Sequence, residues 1–250
     1  MARTFDAVDD QIHFGSDAAT DNLAQFTAMA LVRITAAVTD QRQILTKFTS
    51  GYQGKLYLFA IGNGGGNNKI GSYISGGTAM YSESVSGILA VDTWKVIFAT
   101  WEGHPGGAGP GTAPKLYACT LGGTLAEVSY AAQNTGDATP PDADASATLR
   151  YGGWDPPDAV FFGGGLADFG LWNYVMDFAD MSEIGAGKSP EFFPTNLVKS
   201  SRITGSASPE IDFVGGTNGT VVGTSLLTHP SVLYPSVGGF NPVWAASANQ

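Results

Sequence analysis

An all-β protein, built as two antiparallel sheets, is predicted by three features of this sequence. Short β-type runs recur along the chain, each fenced by Gly, Pro, Asn, Asp or Ser. Helical periodicity is nearly absent. Glycine stands at 34 of the 250 residues, well above its average usage of ~7%. Short strands at this spacing suggest a sandwich or barrel rather than a parallel α/β fold. The length is that of one large all-β domain.

Each predicted element follows from its fences. Residues 11–14 lie between Asp9-Asp10 and Gly15-Ser16, and 26–34 follow Asp21-Asn22. Runs 43–49, 55–61 and 69–74 are separated by Ser50-Gly51, the glycine- and asparagine-rich 62–68 and Ser75-Gly76-Gly77. Residues 87–91 and 94–101 flank Asp92, and 114–121 stop at Gly122-Gly123. The Gly/Pro-rich tract 102–114 and the Pro140-Pro141 tract 134–144 read as solvated loops. Residues 147–152 follow Asp144. Residues 161–172 open on a Gly163-Gly164-Gly165 turn, and the last strands are 210–214 and 220–224. One helix is predicted over 177–185, with Asp177 or Asp180 as N-cap and Gly185 or Gly187 as its stop. No tract has the composition of a long linker, so residues 1–235 are expected to form one domain. Residues 236–250 form a C-terminal extension whose Phe240 and Trp244 would dock on a neighbouring subunit.

Composition removes several function classes. Lys plus Arg number 12 against 22 Asp plus Glu, a net charge of −10, which is the wrong sign for a nucleic-acid footprint. One cysteine, Cys119, cannot form an internal disulfide; it sits in a strand run and is expected to be buried. No apolar run is long enough to cross a membrane, and no signal segment opens the chain. Three scattered histidines (His13, His104, His229) and the absence of a Gly-x-Ser-x-Gly elbow argue against a Ser-His-Asp hydrolase. There is no Cys pair or His-x-x-x-His spacing for zinc, and the glycines at 62–66 lack the Gly-Lys-Ser/Thr of a phosphate loop.

Four segments in order resemble the laminin-G-like, concanavalin-A-like jelly-roll family in its phage or bacterial form. Arg3-Thr4-Phe5-Asp6-Ala7-Val8-Asp9-Asp10-Gln11-Ile12 resembles that family's opening strand, with Ala7 where a glycine is usual. Thr93 to Ala99, with Lys115-Leu116-Tyr117, resembles its central strands. Gly165 to Asn173 resembles the closing strand, and Met181-Ser182-Glu183-Ile184 the helix after it. The resemblance covers about residues 3–235 and implies a two-sheet jelly-roll β-sandwich. Such a fold hosts many functions and names none.

Candidate sites are weighed on chemistry. Tyr151, Trp154, Asp155 and Asp158 combine aromatic rings with acids in a Pro156-Pro157 loop, the composition of a sugar site. Asp6, Asp9 and Asp10 are the candidate calcium ligands, since calcium takes carboxylate oxygens and many members of the resembled family bind it. Trp94, Trp101 and Trp172 fall in strand patterns and are expected in the core. Glu210 and Asp212 alternate as glucanase carboxylates do, but Val214-Gly215 stands where the next acid belongs, so a solvated acid pair is the preferred reading. Asp168 is expected to face solvent or a turn. The favoured function is a non-catalytic structural or surface-binding protein of a phage virion, as capsid decoration or beside the tail, with virion proteins or itself as partner. The alternative is a lectin-like carbohydrate-binding module, extracellular or at a cell surface, that could use calcium and meet host polysaccharide. A glucanase-like enzyme ranks third.

Overall fold

The computed structural model describes residues 2–49, 51, 53–62, 67–103, 111–154, 160–204, 208–214 and 216–235. The chain runs β1 (Ala2–Asp6), β2 (Gln11–His13), β3 (Phe26–Ile34), β4 (Gln41–Phe48), β5 (Gly54–Ile61) and β6 (Lys69–Ile74). It continues as β7 (Met80–Ser84), β8 (Lys95–Trp101), β9 (Lys115–Thr120), β10 (Ala126–Glu127), β11 (Tyr130–Thr135) and β12 (Leu149–Tyr151). The remainder is β13 (Gly153–Trp154), β14 (Val160–Phe161), β15 (Gly163–Trp172), α1 (Phe178–Gly185), β16 (Leu197–Ser201), β17 (Thr220–Val222) and β18 (Ser225–Leu227).

These strands make two antiparallel sheets. The first runs β10-β9-β8-β3-β15-β1-β18, and the second β11-β7-β6-β5-β4-β12-β2-β17. Strand β15 is shared along one edge: residues 163–166 pair with β1 and residues 169–172 with β16. A register shift between Leu166 and Phe169 marks the changeover. The inner faces meet in a core containing Phe5, Phe14, Phe26, Tyr57, Trp101, Tyr151 and Phe169. The outer face of the first sheet is also covered, because α1 lays Met181 and Ile184 against Met29, Phe98, Cys119 and Trp172. A third cluster, Phe48, Leu56, Phe59, Ile61 and Trp154, lies on the outer face of the second sheet under the β13–β14 hairpin.

Several expectations hold. The helix begins after Asp177 and ends at Gly185, although the Asp177 side chain makes no cap hydrogen bond. Cys119 is buried, as are Trp101 and Trp172, while Trp94 is half-buried. Others change. Residues 87–91 form a turn that ends in a single bridge at Val91, and the strand is the preceding Met80–Ser84. Residues 210–214 are not a strand: only Glu210 bridges, to Gly219. The glycine run 163–165 lies inside β15, not in a turn. A Cβ on Gly164 would sit 2.3 Å from the Arg33 carbonyl oxygen of β3.

The opening segment is not one strand but two, split between the sheets. The chain crosses over at Ala7, which has φ 66°, a left-handed conformation that costs an L-residue roughly 1–2 kcal/mol. Ala7→Gly is therefore expected to stabilise by about 0.5–1 kcal/mol, after the extra chain entropy glycine loses on folding. A urea midpoint that stayed put or fell would contradict this.

Burial raises the pKa of Tyr57 and Tyr151 well above the ordinary 10.0, and that of Tyr234 likewise. A raised folded pKa gives stability that is present below the unfolded value and lost as pH climbs past it. Stability is thus expected to fall steeply above about pH 10, with tyrosinate absorbance appearing together with unfolding. Tyrosinate appearing gradually in folded protein at these positions would refute it.

Candidate functional site

The aromatic pair expected at a sugar site is divided by the fold. Tyr151 faces the inner core, fully buried, with its ring 4.8 Å from that of Phe169. Trp154 packs on the opposite side of the second sheet, 5.3 Å from Phe48 and 4% exposed. Between them Gly152 takes φ 88° and lies against the Phe5 ring, turning the chain from one face to the other. Neither ring is open to a ligand, which corrects the expectation for both. Asp155, Asp158, Phe240 and Trp244 lie outside the described residues.

Asp6, Asp9 and Asp10 do come together, one carboxylate oxygen from each lying within 4.8 Å of the others. Asp6 and Asp9 are exposed and Asp10 is buried. Two of these carboxylates also bind the β1–β2 crossover: Asp10 accepts from the Asp6 N–H (2.8 Å), and Asp6 accepts from the Val8 N–H (2.8 Å). Burial, then the neighbouring Asp6 and Asp9 charges, raises the Asp10 pKa. The oxygens are of the type that would suit calcium.

The glucanase-like acids are not solvated. Glu210 pairs with Arg3 at 2.5 Å, both side chains at most 4% exposed. Asp212 pairs with Lys199 at 3.2 Å, both fully buried, and accepts main-chain N–H groups of Ser200, Val214 and Gly216. Their oxygens are committed to holding the segment around residues 210–219. Asp168 is likewise interior, 1% exposed, and accepts from the Tyr234 hydroxyl at 2.8 and 3.0 Å. His229 Nε2 lies 3.0 Å from it. Arg202, clamped by Glu191, stacks 4.2 Å from the Tyr234 ring. No local motif announces this cluster, because Asp168 lies 61 residues from His229 and 66 from Tyr234. It fastens residues 229–234 to β15.

An open cleft lies at one end of the sandwich. It is formed where β3 begins, β8 ends, β5 begins and the loop before β12 crosses. Asn22, Leu23, Ala24, Lys55, Trp101, Pro140, Pro141, Asp142 and Ala143 line a space of about 410 Å³. A second depression of about 550 Å³ adjoins it through Asn22, Leu23 and Ala24, and adds Asp21, Glu102 and Asn173. Leu23, Trp101 and the prolines give an apolar floor, and Asp142, Asn22 and Glu102 a polar rim.

The walls are held by an unusual set of charges. Lys47 and Lys55 stand directly opposite each other on β4 and β5, both at most 1% exposed. Like charges in that position repel, and the carboxylate of Asp144 offsets them. Asp144 is fully buried, 2.7 Å from Lys55 Nζ and 3.8 Å from Lys47 Nζ. It also exchanges hydrogen bonds with Asn22: the Asn22 N–H donates to Asp144 Oδ1 (2.6 Å), and the Asp144 N–H donates to Asn22 Oδ1 (2.9 Å). The loop before β3 is thereby locked to the loop before β12, which fixes the cleft's shape. This pairing spans 122 residues, so no local motif announces it.

No family model matches the chain, and no curated protein matches it. Solved structures do. The chain superposes on a Bacteroides ovatus protein provisionally described as carbohydrate-binding, with TM-score 0.60 and 18% identity over 90% of this chain. A two-sheet β-sandwich is what they share. The chain spans only 58% of that protein's length. More distant likenesses are the Ruminococcus gnavus IT-sialidase CBM40 bound to α2,3-sialyllactose (TM-score 0.45, 13% identity, 74% of this chain and 97% of that one) and the enzymatically active domain of tailspike protein 2 of bacteriophage CBA120 (TM-score 0.47, 10% identity, 81% and 33%).

Proposed function

We propose that this sandwich is a non-catalytic carbohydrate-binding module whose ligand occupies the end cleft. The observation that carries the reading is the cleft itself, with its apolar floor, its rim of acid and amide groups, and walls fixed by the buried Asp144 network. Sugar rings present an apolar face and a fringe of hydroxyls, and this lining offers a counterpart to each. The Bacteroides likeness supports the reading at the level of fold. The acids that a glucanase mechanism would use, Glu210 and Asp212, are consumed in ion pairs, which supports a binding rather than a cleaving role. The virion placement expected from the sequence rests on no observation in the structure.

Binding to a panel of immobilised glycans and soluble polysaccharides, measured with and without calcium, tests the proposal. The expected result is a hit whose affinity falls at least about tenfold in Ala24→Arg, an exposed substitution that fills the cleft, and severalfold in Asp142→Ala. A blank panel, or a hit indifferent to both substitutions, would remove this reading. Dependence on calcium that disappeared in Asp9→Asn would assign the Asp6–Asp9–Asp10 group a metal-binding part in it.

A further inference from the structure

Lys55 and Asp144 form an ion pair shut away from water, their side chains 1% and 0% exposed and Nζ 2.7 Å from Oδ2. Charges buried this deeply favour their neutral forms, which the two groups reach together by passing one proton across their hydrogen bond. Burial lowers the Lys55 pKa against the opposing pull of Asp144. A desolvated lysine amine is a nucleophile, and the group beside this one is then a carboxylic acid. The second carboxyl oxygen is held differently. Asp144 Oδ1 accepts the Asn22 main-chain N–H at 2.6 Å, and the Lys47 ammonium stands 3.8 Å from it. A main-chain donor and a cation on one oxygen stabilise negative charge that develops there when the adjoining carbon is attacked. One oxygen thus faces the nucleophile and the other faces groups that suit an oxyanion.

We infer that Lys55 and Asp144 condense into a side-chain amide, an isopeptide bond that ties β5 to the loop before β12. It is independent of the carbohydrate reading. The Lys55 ammonium gives one proton to Oδ2, and the lone pair so freed forms the Nζ–Cγ bond. Negative charge gathers on Oδ1, beside the Asn22 N–H and Lys47. A second proton passes from Nζ to Oδ2, the Cγ–Oδ2 bond breaks, and Oδ2 leaves as water. Nothing is oxidised or reduced, and no co-reactant is needed. The remaining charges still match, because one cation and one anion are lost together and Lys47 keeps Asp21 at 2.5 Å. Lys199 and Asp212, also fully buried, lack this arrangement. Nζ is 3.2 Å from Asp212 Oδ2, and that same oxygen accepts the Gly216 N–H at 2.6 Å. A main-chain donor there holds the oxygen that would have to leave.

Intact-mass spectrometry of the full chain, folded, incubated and then denatured, reads the bond directly. The protein is expected to be one water molecule lighter than its sequence. A tryptic digest is expected to yield a branched fragment joining the Lys55 and Asp144 peptides. Lys55→Arg keeps a cation beside Asp144, but its always-charged guanidinium is no nucleophile, so this variant is expected at its full sequence mass. Asp144→Ala is expected to behave likewise. Should either variant misfold, the wild-type mass and its branched fragment decide alone. A wild-type chain that kept its full sequence mass after prolonged incubation in the folded state would overturn the inference. So would a water loss that persisted in Lys55→Arg, or one that mapped to any other pair of residues.

Discussion

Asp144→Ala will destabilise the protein by about 3–5 kcal/mol, the range seen when one partner of a buried ion pair is removed. The carboxylate is fully buried, and it is what separates two lysines opposed across adjacent strands. Without it, Lys55 loses its one hydrogen bond and Lys47 retains only Asp21 as a counter-ion. The Asn22 N–H also loses its acceptor. Guanidinium unfolding gives the number. The origin of the effect is checked by adding Lys55→Met to Asp144→Ala: if the damage comes from an uncompensated ammonium, the double variant recovers part of the loss. A loss below about 1 kcal/mol for Asp144→Ala alone, an ordinary value for any substitution, would show that the network is not what holds this end together.

Glu210→Gln and Asp212→Asn separate two accounts of the same acids. If they hold structure, each substitution removes a counter-charge from a buried cation, Arg3 or Lys199, of which Lys199 keeps the more distant Asp17 at 3.4 Å. A loss of about 3 kcal/mol or more is then expected for Asp212→Asn, whose partner is fully buried. A similar or smaller loss is expected for Glu210→Gln, where the amide can still accept from Arg3. If they were hydrolytic carboxylates, the variants would melt with the parent and lose turnover on glucans. Thermal melts beside a reducing-sugar assay distinguish the two. Unchanged melting with a lost activity would sink the structural account.

The sheets were legible because short apolar runs fenced by turn residues carry their own signal. Phe26–Ile34, Lys95–Trp101 and Phe178–Gly185 needed nothing from elsewhere in the chain. Met80–Ser84 was not legible: it alternates buried Met80, Ser82 and Ser84 with half-buried Tyr81 and Glu83, and serine reads as turn until a neighbouring strand supplies its partners. Residues 210–214 erred the other way. Their alternation is real, but it serves ion pairs to Arg3 and Lys199. The site was the least legible part. Tyr151 and Trp154 are separated only by two glycines in sequence, yet Gly152, at φ 88°, sends them to opposite faces of a sheet. The cleft instead draws on residues 21–24, 55, 101–102 and 140–144, and no spacing rule connects those. Buried lysines were also unforeseeable, since Lys47 and Lys55 look like ordinary strand-end charges until their partner Asp144 is placed.

The divided pairing of β15 bears on how the chain reaches this structure. Strand β1 takes its hydrogen bonds from β15 on one side and β18 on the other, and Arg3 finds Thr224 across a separation of 221 residues. Strand β1 therefore waits for partners that are made more than 150 residues later. The meander β4 to β7 can pair with its sequence neighbours long before that. Contacts this distant slow folding, because a long loop must close before they yield anything. Until β15 emerges, β1 remains an open strand edge. A nascent chain arrested before residue 163 should accordingly bind chaperone and be cut by protease at β1, while its β4–β7 segment already resists.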